Sequence, residues 1–192
     1  MKILRAEGFA TLPWKNGRGL TREIAVYRDP AEHDDFLWRL SLASVTESCP
    51  FSHFPGVDRT IAVLDGPGMV LHMPGQDVSL AVTSDPFIFA GETPVDCELP
   101  AGPTVDLNVM TRRGYFRHTL KKISFTGRAS LTLANDKTLL VSNGHLKISS
   151  ERQHVLAPFD AVVDLEPEAM LELWADAEAT VFAVELTPGV TG

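Results

Sequence analysis

Hydrophobic and polar positions alternate over short stretches of this chain, with the two-residue period of a β-strand rather than the period of a helix. Runs rich in Val, Leu, Ile, Phe and Thr occupy residues 60–64, 69–72, 78–83, 105–110, 139–141 and 181–186. Thirteen prolines and fourteen glycines separate these runs. The best helical candidate, residues 30–35, offers one turn at most. The pattern therefore predicts an all-β protein with little helix, of the sandwich, jelly-roll or barrel kind.

A repeated pattern indicates two similar halves. The stretch TIAVLDGPGMVLHM from Thr60 resembles TLLVSNGHLKIS from Thr138, and TVDLNVM, ending at Met110, matches TVFAVEL if one residue of slip is allowed. A tandem duplication of a β unit of roughly 60 residues explains these matches. We therefore expect two jelly-roll β-barrels, residues 1–116 and residues 117–192. A boundary in which the second barrel takes strands from the N-terminal segment stays open.

The two copies differ in one strand. In residues 105–110 one face carries Asp106, Asn108 and Met110, because strand side chains alternate between faces. The matching positions of the second copy are Val181 and Ala183. A polar inner face suits a ligand cavity and an apolar one suits packing. We therefore expect the pocket in the first barrel and a structural role for the second.

Residues able to bind a ligand are concentrated in the first half. Residues 36–43 alternate, so that a basic and a hydroxyl side chain share one face, and residues 50–56 form a Pro- and Gly-rich loop with two phenylalanines. The predicted pocket wall consists of Arg39, Ser41, Arg59, Asp106, Asn108 and Met110. The predicted rim consists of Trp14, Lys15, Asn16, Phe51, Ser52, Glu92 and Arg112.

Charge and composition narrow the class of protein. The net charge is −8, from 17 Lys and Arg against 25 Asp and Glu, which disfavours nucleic acid as a partner. The densest basic stretch, residues 112–122, is interpreted as a solvated linker between the halves. Two cysteines, no signal-peptide pattern and no long apolar run predict a cytoplasmic protein that does not interact with membranes.

The sequence offers no recognisable metal centre or nucleophile. A metal site inside a small β-barrel needs a His-x-His pair, a carboxylate shortly after it and a later histidine, because several donors must converge. The six histidines, His33, His53, His72, His118, His145 and His154, form no such pair. No nucleophile elbow or phosphate-binding loop is present either. We therefore expect a pocket without a metal or another cofactor.

Three stretches of the first half resemble the HutD/Ves family. They are PWKNGRGLTREI from Pro13, FLWRLSLASVTESCPFSHFPGVDRTIAVLDGPGMVL from Phe36, and DPFIFAGETPVDCELPAGPTVDLNVMTRRG from Asp85. The similarity runs from about residue 9 to residue 115 and continues more loosely through the second half. The family usually has a third glycine in its KNGGG stretch, where this chain has Arg18. That departure removes a close backbone approach or adds a cation to the rim.

The resemblance implies a bicupin, two tandem jelly-roll barrels of the cupin-like superfamily, in a bacterial cytoplasmic protein. It also implies a link to histidine-utilisation genes, as in HutD members, or to stress induction, as in Ves members. It implies no defined reaction. The leading hypothesis is therefore a small-molecule-binding sensor or regulator.

Two other hypotheses stay open. Cupin-like barrels also host metal-independent isomerases and epimerases, for which Glu92 or Asp106 would be the general base. A purely structural or oligomerising protein is the third hypothesis, and a homodimer is compatible with the sequence. An internal cavity lined by arginine and asparagine would be hard to explain as packing.

The expected ligand is a small carboxylate, with urocanate or formiminoglutamate the first to try. The acidic chain nevertheless gathers Lys15, Arg22, Arg39, Arg59, Arg112 and Arg113 in its motif-rich half. An arginine guanidinium matches a carboxylate bidentately. The choice of these two acids follows from the resemblance, since histidine catabolism yields small acids. The alternative is that the arginines form structural bridges to Glu23, Asp58, Glu92 and Asp106.

The scattered histidines generate the first prediction. Protein purified without a tag is expected to contain well under one equivalent of Zn, Fe, Mn, Ni or Cu, as measured by elemental analysis. Near-stoichiometric metal would overturn the metal-free pocket and favour the enzyme hypothesis.

Overall fold

The structure is a computed structural model that describes residues 1–14, 17–28, 36–133 and 137–189. In these residues it contains strands and one 3₁₀ turn, Ala6–Gly8, so the expected all-β class is confirmed. The strands are β1 (Lys2–Leu4), β2 (Ala10–Pro13), β3 (Gly19–Arg28), β4 (Phe36–Val45), β5 (Cys49–Pro50), β6 (Val57–Asp65), β7 (Met69–Met73), β8 (Gln76–Leu80), β9 (Phe87–Ala90), β10 (Asp96–Glu98), β11 (Thr104–Arg112), β12 (Phe116–Thr132), β13 (Thr138–Asn143), β14 (Leu146–Ser149), β15 (Gln153–Leu156), β16 (Ala161–Val163) and β17 (Met170–Pro188). The helical turn predicted at 30–35 lies outside the described residues. Nowhere in the described ranges is there a helix long and apolar enough to cross a membrane.

The chain forms two compact units. The N-terminal unit comprises residues 10–117 and also contains Gly189, whose N–H donates to the carbonyl of Tyr115 at 2.7 Å. The C-terminal unit comprises residues 1–9 and 118–188. The first nine residues therefore fold with the second half of the sequence.

The N-terminal unit contains two antiparallel sheets. The six-stranded sheet has the order β2-β3-β4-β11-β6-β9, and the four-stranded sheet has the order β5-β10-β7-β8. Apolar side chains of both sheets, among them Ile61, Val63, Leu71 and Cys97, form one buried cluster. β11 lies between β4 and β6, so its inward side chains are flanked on both sides by those of its neighbours.

The C-terminal unit is one seven-stranded sheet, ordered β1-β16-β13-β17-β14-β15, with β12 also paired to β17. β17 is 19 residues long and pairs with both β13 and β14 at different points along its length. Its Val181 and Ala183 are buried in an apolar cluster with Leu140, Leu146 and Ile148. The positions that matched Asp106 and Asn108 in the sequence repeat are thus packed against aliphatic side chains.

Two expectations about individual segments are corrected by the structure. The strand expected at 78–83 ends at Leu80, because Ser84 turns back and its hydroxyl accepts the N–H of Ala81 at 3.0 Å. The expected basic linker is largely strand, since β12 begins at Phe116 and runs for 17 residues. Lys121 on this strand forms an ion pair with Glu185 at 2.8 Å.

Asp160 ties the N-terminal segment to the C-terminal unit. Its carboxylate accepts hydrogen bonds from the N–H groups of Ala6 and Ala157, both at 3.0 Å, and from Arg5 at 2.6 Å. Burial opposes ionisation of this carboxyl, but these donors outweigh the burial and hold its pKa below the ordinary value.

The second prediction concerns this carboxylate. Asp160→Asn is expected to lower the free energy of unfolding by about 1–3 kcal/mol, because an amide can accept with one atom only. A carboxyl whose pKa is lowered by folding stabilises the folded protein at pH values above the pKa that it has in the unfolded chain. That stabilisation is lost as the pH falls through the pKa of the folded state. The difference between wild type and variant should therefore shrink on acidification from pH 7 to below about 3.9. Denaturant melts across this range check both expectations, with Asp164→Asn as the exposed control. An undiminished difference at low pH would contradict the ionic contribution.

Candidate functional site

The N-terminal unit contains a cavity of about 490 Å³. Its wall is the inward face of β4, β6 and β11, and its opposite side is formed by the end of β2 and the start of the loop after β5. Nine of the residues predicted from sequence line it: Trp14, Arg39, Ser41, Phe51, Ser52, Arg59, Asp106, Asn108 and Met110. All six predicted wall residues are therefore in one cavity.

The other four predicted rim residues are not among the described residues that line the cavity. Lys15 and Asn16 lie outside the described residues. In the described chain, neither Glu92 nor Arg112 is among the lining residues. Arg112 directs its Nε–H to the carbonyl of Phe36 at 3.4 Å.

Glu92 instead belongs to an ion-pair cluster on the surface, together with Arg113 and Asp58. Arg113 donates to its two carboxylate oxygens at 2.6 and 2.8 Å, and also to Asp58 at 2.6 Å. The hydrogen bonds from Arg113 hold the pKa of Glu92 at about 2. For Arg113 the structural-bridge alternative is thus what the structure shows.

The strand register explains why two arginines share the cavity wall. Met110 of β11 lies opposite Arg39 on β4 and opposite Arg59 on β6. Directly paired residues in antiparallel strands point to the same face, so all three side chains enter the cavity. Two residues further along the strand, the same rule places Asn108 beside Ser41.

Arg59 is buried, with 5% of its surface exposed. Its guanidinium carbon lies 4.8 Å from the ring centre of Phe89 and 5.4 Å from those of Phe51 and Phe54. One Nη–H donates to Asn108 at 2.8 Å, and among the described residues the Nε–H has no acceptor. Burial lowers its pKa to about 10, so the side chain remains a cation at neutral pH.

Arg39 repeats this arrangement. Its guanidinium carbon lies 5.0 Å from the ring centre of Phe36 and 5.5 Å from that of Phe54. Its Nη–H approaches the sulfur of Met110 at 3.4 Å, a weak acceptor, and its Nε–H is buried without an acceptor in the described chain. Burial lowers its pKa. The cavity wall thus carries two cations that are poor in hydrogen-bond acceptors.

A short relay runs from Arg59 to Asp106. The amide oxygen of Asn108 accepts from Arg59, and its amide nitrogen donates to Oδ1 of Asp106. Asp106 is fully buried, and Oδ2 has no donor among the described residues. Burial raises its pKa to about 7, although the nearby positive charge of Arg59 acts in the opposite direction.

Trp14, on the aromatic side of the cavity, is held by one side-chain hydrogen bond and by close packing on Gly19. Trp14 donates from Nε1 to Thr21 at 2.8 Å, and a side chain at Gly19 would come within 2.9 Å of the Trp14 ring. Arg18, at the position where the family pattern has glycine, directs a guanidinium N–H to the carbonyl of Ser48 at 2.9 Å. It is not among the described residues that line the cavity.

Six further residues line the cavity that the predicted set did not contain: Leu12, Pro13, Thr21, Ala43, Pro50 and Phe54. Phe54 was the easiest of the six to predict, since it belongs to the same loop as Phe51. Thr21 was less so, because its place depends on its pairing with Leu12 on the neighbouring strand.

Within the described ranges, the structure contains no group of three His, Cys, Asp or Glu that could hold a metal ion. His72 illustrates the reason, because its two ring nitrogens face Asp77 and Glu98, each at 2.9 Å, in different directions. Hydrogen bonds to Glu98 and then to Asp77 raise its pKa. The metal-free pocket stays a prediction.

The chain has close relatives. A protein of Pseudomonas putida, described as an uncharacterised 21.2 kDa protein in the hutC 3′ region, is 37% identical over 156 residues, which cover 81% of this chain and 80% of that protein. Protein Ves of Citrobacter koseri is 42% identical over 101 residues, 52% of either chain. The structure of HutD from Pseudomonas fluorescens SBW25, obtained in a formate condition, superposes with a TM-score of 0.81 at 29% identity, covering 97% of this chain and 98% of that one.

A more distant likeness concerns the fold alone. A cupin conserved-barrel protein of Leptotrichia buccalis superposes with a TM-score of 0.60 at 11% identity, over 97% of this chain and 96% of that one. The cupin-like fold expected from the sequence is thus supported. The family model described as HutD matches residues 6–183, nearly the whole chain. This chain therefore belongs to the HutD family.

Proposed function

We propose that this protein binds a small carboxylate in the cavity of its N-terminal unit and acts as a sensor or regulator linked to histidine utilisation. The observation that carries the proposal is the pair of guanidiniums of Arg39 and Arg59 on one cavity wall. Arg59 is buried and Arg39 is half-buried, and each has a buried Nε–H without an acceptor among the described residues. In the same proposal the two units are the two jelly rolls of a cytoplasmic bicupin that needs no cofactor.

The energetics favour an anion as the ligand. A buried cation is costly unless it is paired and hydrogen-bonded, and the aromatic rings around Arg59 provide only part of that compensation. A carboxylate supplies two acceptor oxygens and a negative charge at once. The partly satisfied guanidiniums therefore match a carboxylate better than a neutral sugar.

The cavity size and lining fit a small acid. Its volume of about 490 Å³ is within the range of small-molecule sites, and its walls combine aromatic rings with a few polar groups. The rings of Trp14 and Phe51 provide faces on which an imidazole could stack. The relative encoded in the hutC 3′ region supports a ligand from histidine degradation. Urocanate and formiminoglutamate are therefore the first acids to test.

The third prediction is that urocanate or formiminoglutamate binds in calorimetry and that a panel of neutral sugars does not. Arg59→Met should weaken this binding by about 10- to 150-fold, the equivalent of one charge-assisted hydrogen-bonded contact. Methionine is a reasonable replacement among three phenylalanine rings because of its flexible apolar side chain. Thermal unfolding of the variant checks that it remains folded.

Arg113→Met is the matched control, because Arg113 lies near the same strands but forms ion pairs with Asp58 and Glu92 outside the cavity lining. Its affinity for the acid should equal that of the wild type. Binding of sugars without acids, or acid binding that survives Arg59→Met unchanged, would show that the arginines serve structure only.

A second candidate function is supported by Asp106. A buried carboxyl with a pKa of about 7, adjoining a cavity, is what a general base needs at neutral pH, and Glu92 is excluded from that role here by its ion pair with Arg113. In this alternative the protein is a metal-independent isomerase or epimerase of a carboxylic acid.

The fourth prediction separates the two functions. A binding protein should leave the carbon-bound protons of a bound acid in place, so proton NMR in D₂O should show no exchange of formiminoglutamate at its α-carbon beyond the rate without protein. Exchange that is faster with wild type and absent with Asp106→Asn would establish the enzyme instead.

A further inference from the structure

We propose that ligand binding in this cavity is proton-linked, with Asp106 taking up a proton when a carboxylate binds beside Arg39 and Arg59. The inference rests on the proposed function, because it concerns the regulation of the same site. In this scheme Asp106 serves as a resident counter-charge for the arginines while no anion is bound. An arriving carboxylate takes over that role.

The surroundings of Asp106 stabilise its negative charge only weakly. Its described hydrogen bond comes from the neutral amide of Asn108, and Oδ2 has no donor in the described chain. Arg59 donates its hydrogen bond to Asn108, and its positive charge acts on Asp106 through space. A carboxylate that is fully buried and stabilised at a distance can change its protonation state at small cost.

The other charged and titratable groups around this wall do not change their charge near neutral pH. Arg59 on β6 acts on Asp106, Arg39 on β4 acts on Arg59, and both arginines stay protonated near neutral pH. Glu23 on β3 is the acid whose charge acts on Arg39, and it forms an ion pair with Arg28 at 3.4 Å. Cys97 on β10 is influenced by Asp106, but burial raises the pKa of this thiol to about 12. The pKa of the thiol of Cys49, opposite Cys97 on β5, is also raised by burial. Asp106, with a pKa of about 7, is therefore the group whose charge changes in the physiological range.

The direction of the coupling follows from electrostatics. A second negative charge in the cavity makes the ionised form of Asp106 less favourable and raises its pKa further. Binding is then tightest where Asp106 is protonated, and affinity falls as the pH rises from 6 to 8. For unit charges about 10 Å apart at an effective dielectric constant of about 20, the change in affinity is on the order of tenfold.

The test uses 3-(2-furyl)acrylate, a planar acid whose carboxylate is its only titratable group. Its dissociation constant for the wild-type protein should rise roughly tenfold between pH 6 and pH 8. Calorimetry at pH 7.5 in buffers of different ionisation enthalpy should show uptake of roughly half a proton. The neutral amide, 3-(2-furyl)acrylamide, should bind with no proton uptake.

Asp106→Asn is the decisive variant, because it keeps the shape and removes the charge. It should bind furylacrylate at pH 8 at least as tightly as the wild type does at pH 6, with a flat pH profile. Asp65→Asn, at the exposed end of β6, is the control and should keep the wild-type profile. If Asp106→Asn fails to fold, the buffer series on the wild type still decides.

The outcomes separate the two levels of the proposal. Binding of furylacrylate with a flat pH profile and no proton uptake would overturn the linkage and leave the carboxylate site standing. Affinity that rises with pH would overturn it as well. Failure of furylacrylate, urocanate and formiminoglutamate to bind at any pH would contradict the proposed function itself.

Discussion

The guanidinium of Arg59, buried among the rings of Phe51, Phe54 and Phe89, is the interaction on which the site depends. Its charge is one reason that Asp106 can ionise inside the protein, since burial alone would raise the pKa of that carboxyl still further. Its bond to Asn108 also orients the amide that reaches Asp106. The rings, the amide and the carboxyl thus form one electrostatic unit, and the cavity is the side on which that unit is incomplete.

The two units use the same architectural material differently. In the C-terminal unit the inward positions of β17 hold Val181 and Ala183, and the core is aliphatic. In the N-terminal unit the inward face of β11 is polar at the cavity and the apolar cluster lies beside it. A buried polar group costs stability unless it is satisfied, so the polar wall is a cost to the N-terminal unit that the aliphatic core of the C-terminal unit does not bear.

Sequence reasoning succeeded where strand alternation decides the outcome. The inward placement of Arg39 and Ser41, and of Asp106, Asn108 and Met110, follows from a period of two, and the structure gathers all of them. It was less successful where long-range pairing decides. Arg112 and Glu92 were expected at the rim, but an exposed charged side chain takes the nearest opposite charge or carbonyl, which depends on neighbouring strands. Thr21 and Phe54 entered the lining through register and loop path, which one sequence does not display.

The alternation of β11 also divides the strand into positions that line the cavity and positions that support the sheet. Leu107 and Val109 point away from the cavity and are at most 1% exposed. Asp106, Asn108 and Met110 face the cavity, and their strand partners Val63 and Ile61 belong to the apolar cluster beside it. Substitutions at the cavity-facing positions can therefore change the polarity of the cavity while the intervening positions preserve the sheet. Such substitutions would alter the chemistry of the cavity without a corresponding change in the fold.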